Sequence, residues 1–231
     1  MRNLPYIYAC LLDVLGYREW LERDRLQGSF EFKELLEQAL SCLNSINDAE
    51  YSYQAISDTI ILTCSEKARL IPFFEVVRGV QLSFLKSGLL LRGGISYGQH
   101  FRSGAITYSP AYAAAHESES RLAIYPRVVI DENILQMFEG DNFLDEIQGS
   151  GLLCRRNGVY FINILTQQNW TEVYEMAKGI YEKDSEQLLK KEPVFAKHAW
   201  LEEYLFSSPF VVAEAVRYTQ KFEFIDRENE L

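Results

Sequence analysis

Apolar residues recur along the chain in two different periods, which separate predicted strands from predicted helices. Residues 5–13 form a nearly continuous apolar run, which is typical of a buried strand. Over 30–47 and again over roughly 70–86, apolar side chains recur at i, i+3 and i+4 spacing, which predicts two amphipathic helices. Pro72 is tolerable in the second helix only within its first turn. The segment 51–64, between the two helices, predicts a strand or a hairpin.

Turn and capping residues divide the second half of the chain. Residues 89–98 form an apolar run with internal glycines, and glycine inside a strand often marks the close approach of a ligand or another backbone. Ser109 and Pro110 provide N-cap and N1 chemistry for a helix. The remaining predicted elements are a helix over 109–122, a strand over 126–130, a helix capped by Asp131 and reaching Phe138, a hairpin turning at Asn157-Gly158, and helices from about 169 onward.

The order of these elements is strand, helix, strand, strand, helix, strand, with additions. This order predicts an α+β protein with a ferredoxin-like βαββαβ core, followed by a C-terminal hairpin and a helical extension. The length of 231 residues and the apolar fraction of 48% suit one domain with such an extension. We expect a core over 1–165 and a helical extension over 166–231 packed on it.

Charge and composition narrow the class of partner. The net charge is -10 and the pI is about 4.9, which argues against a nucleic-acid surface because that needs clustered Lys and Arg. A nucleotide is not excluded, since a bound metal can offset its charge. No apolar run reaches the ~20 residues of a membrane span, and the first residues lack a signal-peptide pattern. The cysteines are widely spaced and make no CxxC pair, so we expect a cytoplasmic protein without direct membrane insertion.

Two aspartates interrupt apolar strands and carry the chemistry of this sequence. Asp13 follows Leu11-Leu12 and stands three residues before Gly16, and Asp58 follows Ile56-Ser57. An unpaired buried carboxylate is costly, and two converging carboxylates repel each other unless a cation lies between them. Mg²⁺ typically takes one or two carboxylates together with substrate phosphates. The pair therefore predicts a magnesium–phosphate site, although each aspartate alone also suits a cap or turn.

Several motifs around these aspartates resemble those of class III nucleotidyl cyclases. Leu11-Leu12-Asp13-Val14-Leu15-Gly16-Tyr17 is similar to the family's first metal motif, and Ile56-Ser57-Asp58 to its second. Arg92-Gly93-Gly94-Ile95 is similar to a strand whose arginine reaches the triphosphate. Within this family, the sequence resembles more closely the pyrimidine cyclases of the bacterial Pycsar anti-phage system. The residues that carry this closer resemblance are Ser57-Asp58-Thr59, Ser109-Pro110-Ala111-Tyr112, Tyr125-Pro126-Arg127, Asn157-Gly158-Val159-Tyr160-Phe161 and Lys197-His198-Ala199-Trp200-Leu201.

The resemblance implies a catalytic site with defined roles. Two Mg²⁺ or Mn²⁺ ions would be held by Asp13, Asp58 and the carbonyl of Val14, and Arg92 would pair with the triphosphate. The backbone N–H groups of Leu15, Gly16 and Tyr17 would hold phosphate oxygens at the start of a helix. A homodimer with sites at its interface is also implied.

Two departures from the family bear on the substrate. Ala113 and Glu117 stand where purine cyclases place an asparagine and an arginine, so Arg121, Arg127 or another cation would have to substitute, or the chemistry would rely more on metal. The adenine-specific lysine position falls near Gln54, beside Tyr53. Because side chains alternate along a strand, only one of these two residues can face the base.

The expected function is therefore that of a metal-dependent pyrimidine nucleotide cyclase. It would convert UTP to 3′,5′-cyclic UMP and pyrophosphate as a second messenger in anti-phage defence. CTP is the alternative substrate. A cyclase-like protein that binds a nucleotide without turnover, and a structural partner whose aspartates are turn residues, are the other hypotheses.

Overall fold

A seven-stranded sheet organises the molecule. The computed structural model describes residues 4–46 and 51–222. The sheet has the strand order β2-β3-β1-β4-β7-β9-β8, so that β2 and β8 form its edges. The strands are β1 (Tyr6–Val14), β2 (Tyr51–Ile56), β3 (Thr59–Cys64), β4 (Leu91–Gln99), β7 (Val128–Ile130), β8 (Leu153–Arg156) and β9 (Val159–Ile162), with a separate hairpin of β5 (Phe101–Ser103) and β6 (Ile106–Tyr108).

Helices fill the connections between these strands. They are α1 (Tyr17–Gln27), α2 (Glu31–Leu40), α3 (Leu70–Lys86), α4 (Pro110–Leu122), α5 (Glu132–Gln136), α6 (Asn142–Gly149), α7 (Trp170–Leu188) and α8 (Glu192–Phe206). None of the helices in the described ranges is long and apolar enough to cross a membrane.

The first four strands confirm the predicted ferredoxin-like plan. β1 lies between β3 and β4 and is antiparallel to both, and β3 is antiparallel to β2. Chain order β1-α-β2-β3-α-β4 with spatial order β2-β3-β1-β4 is the βαββαβ arrangement. β7 then adds parallel to β4, and the predicted Asn157-Gly158 hairpin closes the sheet as β8 and β9.

The two faces of the sheet bury different partners. Tyr8, Cys10 and Leu12 of β1 lie in the large apolar core with side chains of α3. The alternate residues Ile7 and Ala9 lie on the other face, against Ala111 of α4. Because successive side chains on a strand point to opposite faces, Asp13 shares the α4 face of the sheet.

Glycines of β4 let α4 approach this face closely. A Cβ placed at Gly94 would lie 2.3 Å from the carbonyl oxygen of Ala115, and one at Gly98 would lie 3.1 Å from the backbone N of Ala111. The Oγ of Ser96, between them, donates a hydrogen bond of 2.6 Å to the Ala111 carbonyl. The glycines predicted to admit a ligand or a backbone therefore admit the backbone of α4.

Some predicted helix boundaries hold and others do not. α3 covers the predicted range 70–86, and Pro72 lies in its first turn. The helix predicted over 30–47 ends earlier, because Leu40 is followed by a 3₁₀ turn over Ser41–Ser45; residue 47 lies outside the described residues. The apolar periodicity did not indicate α1, which buries no residue fully.

The C-terminal extension is only partly helical. α7 and α8 match the prediction, but residues 207–222 form no helix or strand, which corrects the helical assignment of that stretch; residues 223–231 lie outside the described part. Pro209 disfavours helical backbone at the residue before it and so helps to end α8. A hydrogen bond of 2.8 Å, which the Tyr174 hydroxyl donates to the Val216 carbonyl, ties residues 207–222 to α7. The division at residue 166 stays a prediction.

Candidate active site

Asp13 and Asp58 meet at one end of the sheet. Asp13 is the penultimate residue of β1 and pairs in register with Thr59 of β3 on one side and Arg92 of β4 on the other. Asp58 occupies the two-residue turn between β2 and β3, as predicted, and the N–H of Val14 donates 3.0 Å to its carbonyl oxygen. Strand register thus brings two residues distant in sequence to adjacent positions.

Arg92 contacts two carboxylates. Its Nε donates a hydrogen bond of 2.8 Å to Oδ2 of Asp13, and its Nη2 lies 2.8 Å from Oε1 of Glu119. The side chains of Arg92 and Asp13 are 28% and 24% exposed, whereas that of Glu119 is 8% exposed. The guanidinium is therefore the counter-ion of the site in this structure.

Glu119 of α4 is a site residue that the sequence reasoning missed. Burial raises the pKa of its carboxyl, Arg92 and His116 lower it, and the charges of Asp13 and Asp58 raise it. Although Oε1 is within ion-pair distance of Arg92, the two groups are not aligned for a hydrogen bond, so this buried oxygen has none. A signal existed in the sequence, because Glu119 continues the small-residue stripe of Ala111 and Ala115 on α4.

The oxygen donors present here suit a hard divalent cation. Two carboxylates and the Val14 carbonyl form an all-oxygen set of the kind that Mg²⁺ or Mn²⁺ takes when phosphate and water complete its shell. Within residues 4–46 and 51–222, no group of three or more His, Cys, Asp or Glu side chains is arranged to hold a metal alone. A bound ion would have to share Asp13 with Arg92 or displace it.

The turn after β1 corrects one predicted phosphate donor. The N–H of Leu15 already donates 2.9 Å to the Leu90 carbonyl, so it is not available to a phosphate in this structure. Gly16 has a φ of 76°, a left-handed conformation that suits glycine, and it caps α1. Among the described residues, no hydrogen bond uses the N–H of Gly16 or Tyr17. These two groups remain at the helix N-terminus as candidate phosphate donors.

Strand register distinguishes the two candidate base-contacting residues. Gln54 pairs with Ile61, which pairs with Leu11, and this row lies on the α4 face with Asp13. Tyr53 pairs with Leu62 and lies on the opposite face, where it is 41% exposed. Of the two, Gln54 is therefore the residue that shares a face with the aspartates.

The suggested replacement cations Arg121 and Arg127 lie elsewhere. Arg121 forms an exposed ion pair of 2.6 Å with Glu117. Arg127 is buried beside the rings of Phe161 and Trp200, and its Nη2 donates 2.9 Å to the Leu122 carbonyl, while burial lowers its pKa. Ala113 and Glu117 are both exposed on α4. None of these four residues joins the cluster around Arg92.

Lys197 is a cation whose charge does interact with Arg92 and Asp13. Lys197 of α8 has a pKa lowered by burial and by the charge of Arg92, and raised by Glu19 and Asp13. The sequence around Lys197 gives no local signal of this role, because nothing in it shows that α8 returns to the end of β1.

Comparison with known proteins finds structural similarity to nucleotidyl cyclases. No family model matches the chain, and no curated protein matches it. The guanylate cyclase domain of RhGC from Catenaria anguillulae, solved in complex with GTP, is 10% identical, with 71% of this chain and 98% of that chain covered and a TM-score of 0.46. The guanylyl cyclase Cya2 is 12% identical over 69% of this chain and 92% of that chain, with a TM-score of 0.44. A bacterial light-regulated adenylyl cyclase is 14% identical over 70% of this chain and 52% of that chain, with a TM-score of 0.44.

Proposed function

We propose that this protein is a nucleotidyl cyclase of the class III type, which forms a 3′,5′-cyclic nucleotide and pyrophosphate from a nucleoside triphosphate. The observation that carries the proposal is the convergence of Asp13 and Asp58 beside Arg92, at the end of a ferredoxin-like sheet. The motifs in the sequence that resemble this family supply these same three residues.

The residues of the site have separable tasks in this reaction. Asp13, Asp58 and the Val14 carbonyl would hold the divalent ions, whose charge assists ionisation of the ribose 3′-hydroxyl and offsets charge on the leaving pyrophosphate. The Gly16 and Tyr17 N–H groups would bind phosphate oxygens, and Arg92 would make a forked contact with the triphosphate. Positioning and charge neutralisation supply most of the catalysis in phosphoryl transfer.

Glu119 is a positioning residue in this scheme. It contacts Nη2 of Arg92 whereas Asp13 contacts Nε, so it can retain the guanidinium when a metal ion takes over the Asp13 oxygen. Arg92 can then turn its free N–H groups toward phosphate without becoming an isolated charge.

The substrate that we propose is a pyrimidine nucleotide, with UTP favoured and CTP the alternative. This finer assignment depends on the sequence resemblance and on Gln54, whose amide shares the face of the site and can hydrogen-bond a pyrimidine edge. A homodimer with shared sites and a messenger role in anti-phage defence follow from the resemblance, and a cytoplasmic location follows from the isolated cysteines; all three are part of the proposal.

A second candidate function is nucleotide binding without turnover. It is favoured by the Arg92–Asp13 hydrogen bond, which engages one of the two proposed metal ligands. It is also favoured by the exposed Ala113 and Glu117, which stand where the family places groups that steady the transition state.

One assay separates these functions. The purified full chain is incubated with ATP, GTP, CTP and UTP together and with Mn²⁺ or Mg²⁺, and the cyclic products are identified by mass spectrometry. We expect cyclic UMP to dominate. A dominant cyclic AMP or cyclic GMP would reject the pyrimidine assignment and keep the cyclase, whereas bound nucleotide without any cyclic product would favour the second candidate.

The first prediction is that Asp13→Ala and Asp58→Ala each lower turnover by at least about 100-fold, because each removes a carboxylate that neutralises charge through the metal. Both variants should stay folded, since they relieve repulsion among the carboxylates. Asp145→Ala, which removes an exposed aspartate in the first turn of α6, is the matched control and should keep full turnover. Wild-type turnover in Asp13→Ala or Asp58→Ala would remove the metal site from the proposal.

A further inference from the structure

A small cavity adjoins the proposed phosphate turn on the side of the C-terminal helices. It has a volume of about 210 Å³, and Leu15 and Gly16 form one wall, while Lys191 at the N-cap of α8 and Lys197 within α8 contribute to another. Since Leu15 directly follows Val14, the cavity begins where the proposed metal ligands end. Its volume is below the ~300 Å³ at which pockets for whole drug-sized ligands begin, so it suits a phosphate group or two rather than a nucleoside.

The lining of this cavity is positively charged although the protein as a whole is acidic. Arg23, Lys191 and Lys197 line it, against a single carboxylate, that of Glu19. The whole chain has a net charge of -10. A local excess of cations in an acidic protein, next to unbonded N–H groups at a helix N-terminus, is the electrostatic environment that binds an anion.

Lys197 is the cation of this lining that reaches toward the proposed active site. Arg92 and Asp13 both act on its charge, and burial lowers its pKa. In the described part of the chain, no carboxylate lies within 4.0 Å of its ammonium group as a salt-bridge partner. A partly desolvated ammonium without an ion-pair partner is costly, and an anion bound beside it would remove that cost.

We propose that Lys197 binds the β- and γ-phosphates of the nucleoside triphosphate, and then the pyrophosphate product, in the cavity between the Leu15–Gly16 turn and α8. This inference rests on the proposed function and extends its substrate site beyond the βαββαβ core. Lys197 contacts the phosphates of the leaving group from the side of α8, in addition to the forked contact that Arg92 makes in the proposed function.

The test measures binding of inorganic pyrophosphate and of UTP with Mg²⁺ by calorimetry to the full chain. Lys197→Met keeps the apolar stem and removes the charge, and we expect it to weaken both ligands by about 10-fold or more, the effect of losing a hydrogen bond to a charged group. UMP, which lacks these phosphates, should bind equally to both proteins. Lys197→Arg should restore most of the pyrophosphate affinity, because it restores the charge.

The matched control is Lys33→Gln, which removes an exposed lysine of α2 that pairs with Glu37 and should leave all affinities unchanged. Thermal unfolding of each variant verifies that it is folded. Equal pyrophosphate affinity in Lys197→Met and wild type, or no pyrophosphate binding by wild type at millimolar concentration, would overturn the inference.

Turnover distinguishes failure of the inference from failure of the proposed function. If wild type binds pyrophosphate through Lys197 but forms no cyclic nucleotide, the anion site stands and the cyclase assignment falls. If Lys197→Met cyclises UTP with the KM and kcat of wild type, the cyclase assignment stands and the role of Lys197 falls.

Discussion

At the scale of single residues, charge balance around Arg92 governs the site. Three carboxylates, those of Asp13, Asp58 and Glu119, act within one small region, and a single guanidinium contacts two of them. Arg92 is therefore as much a structural counter-ion as a substrate ligand. Its two tasks can be separated, because a divalent cation can replace its charge but not its shape.

We predict that Arg92→Ala lowers the free energy of unfolding by about 1–3 kcal/mol, because it leaves the buried Glu119 carboxylate unpaired. Adding Glu119→Gln should restore most of the loss. Denaturant unfolding of the wild type, both single variants and the double variant gives the coupling between the two residues. Mn²⁺ should also raise the Tm of Arg92→Ala more than that of wild type, because the bound cation replaces the positive charge that the variant lacks. If the four stabilities are simply additive, the pair does not stabilise the protein.

The same pair has a pH dependence of defined sign. The pKa of Glu119 is raised in the folded state, chiefly by burial, so the folded protein binds more protons than the unfolded chain just above the ordinary carboxyl pKa. Its contribution to stability is therefore fully present below that pKa and is lost as pH rises through the folded value. In Arg92→Ala the folded pKa should rise further, so its stability deficit should shrink on acidification.

The sequence revealed Asp13 and Asp58 but not Glu119 or Lys197, for a physical reason. An aspartate that breaks an apolar strand is a local signal, and it can be seen within ten residues. The contacts of Glu119 and the position of Lys197 depend on how α4 and α8 pack on the sheet. For α4 that packing depends on Gly94, which lies against the Glu119 backbone but is 25 residues away in the sequence.

At the scale of elements, the register of β2 decides which side chain can contact a base. Because side chains alternate along a strand, the sequence shows that only one of Tyr53 and Gln54 can face the base. The pairing of β2 with β3, and of β3 with β1, shows that Gln54 is the one on the face of Asp13. The pattern of a strand predicts that its side chains alternate, whereas the face each one occupies depends on its neighbours.

We predict that Gln54→Leu reduces the preference for UTP over ATP by about 10-fold or more, because a site that hydrogen-bonds a base rejects one that leaves its polar groups unpaired. Tyr53→Phe, on the opposite face, should leave the preference unchanged and is the matched control. The measurement is the ratio of cyclic products when both nucleotides compete. A change in that ratio with Tyr53→Phe alone would place the base on the other face.

The local signals of elements also show what a sequence can predict. α3, α4 and the late hairpin carry their own start and stop residues and were predicted within a residue or two. The apolar periodicity did not predict α1, because its apolar face is narrow and none of its residues is fully buried. The end of α2 was misplaced because the apolar spacing continues through a 3₁₀ turn.

At the scale of the whole molecule, the C-terminal helices share the core of the sheet. Trp170 of α7 and Trp200 of α8 lie in the same apolar cluster as Leu12 of β1. The indole Nε1 of Trp170 donates 3.0 Å to the Leu205 carbonyl, which joins the two helices. The helices α7 and α8 therefore pack with the sheet in one apolar core.

We predict that a chain ending at residue 165 does not unfold cooperatively, because it would expose the apolar face that α7 and α8 cover. Far-UV and near-UV circular dichroism during heating, with the full chain as the control, provide the measurement. A sharp transition with native near-UV signal in the truncated chain would show that the first 165 residues fold alone, as an independent domain.

The two edges of the sheet carry a consequence for the behaviour of the protein in solution. The β8 edge presents Arg155 and Arg156, and charged side chains discourage a second chain from pairing there, but β2 has no charged residue over Tyr51–Ile56 and is mostly exposed. At neutral pH the net charge of -10 keeps molecules apart. As the medium approaches pH 4.9 that repulsion disappears, and self-association should begin at the uncharged edge.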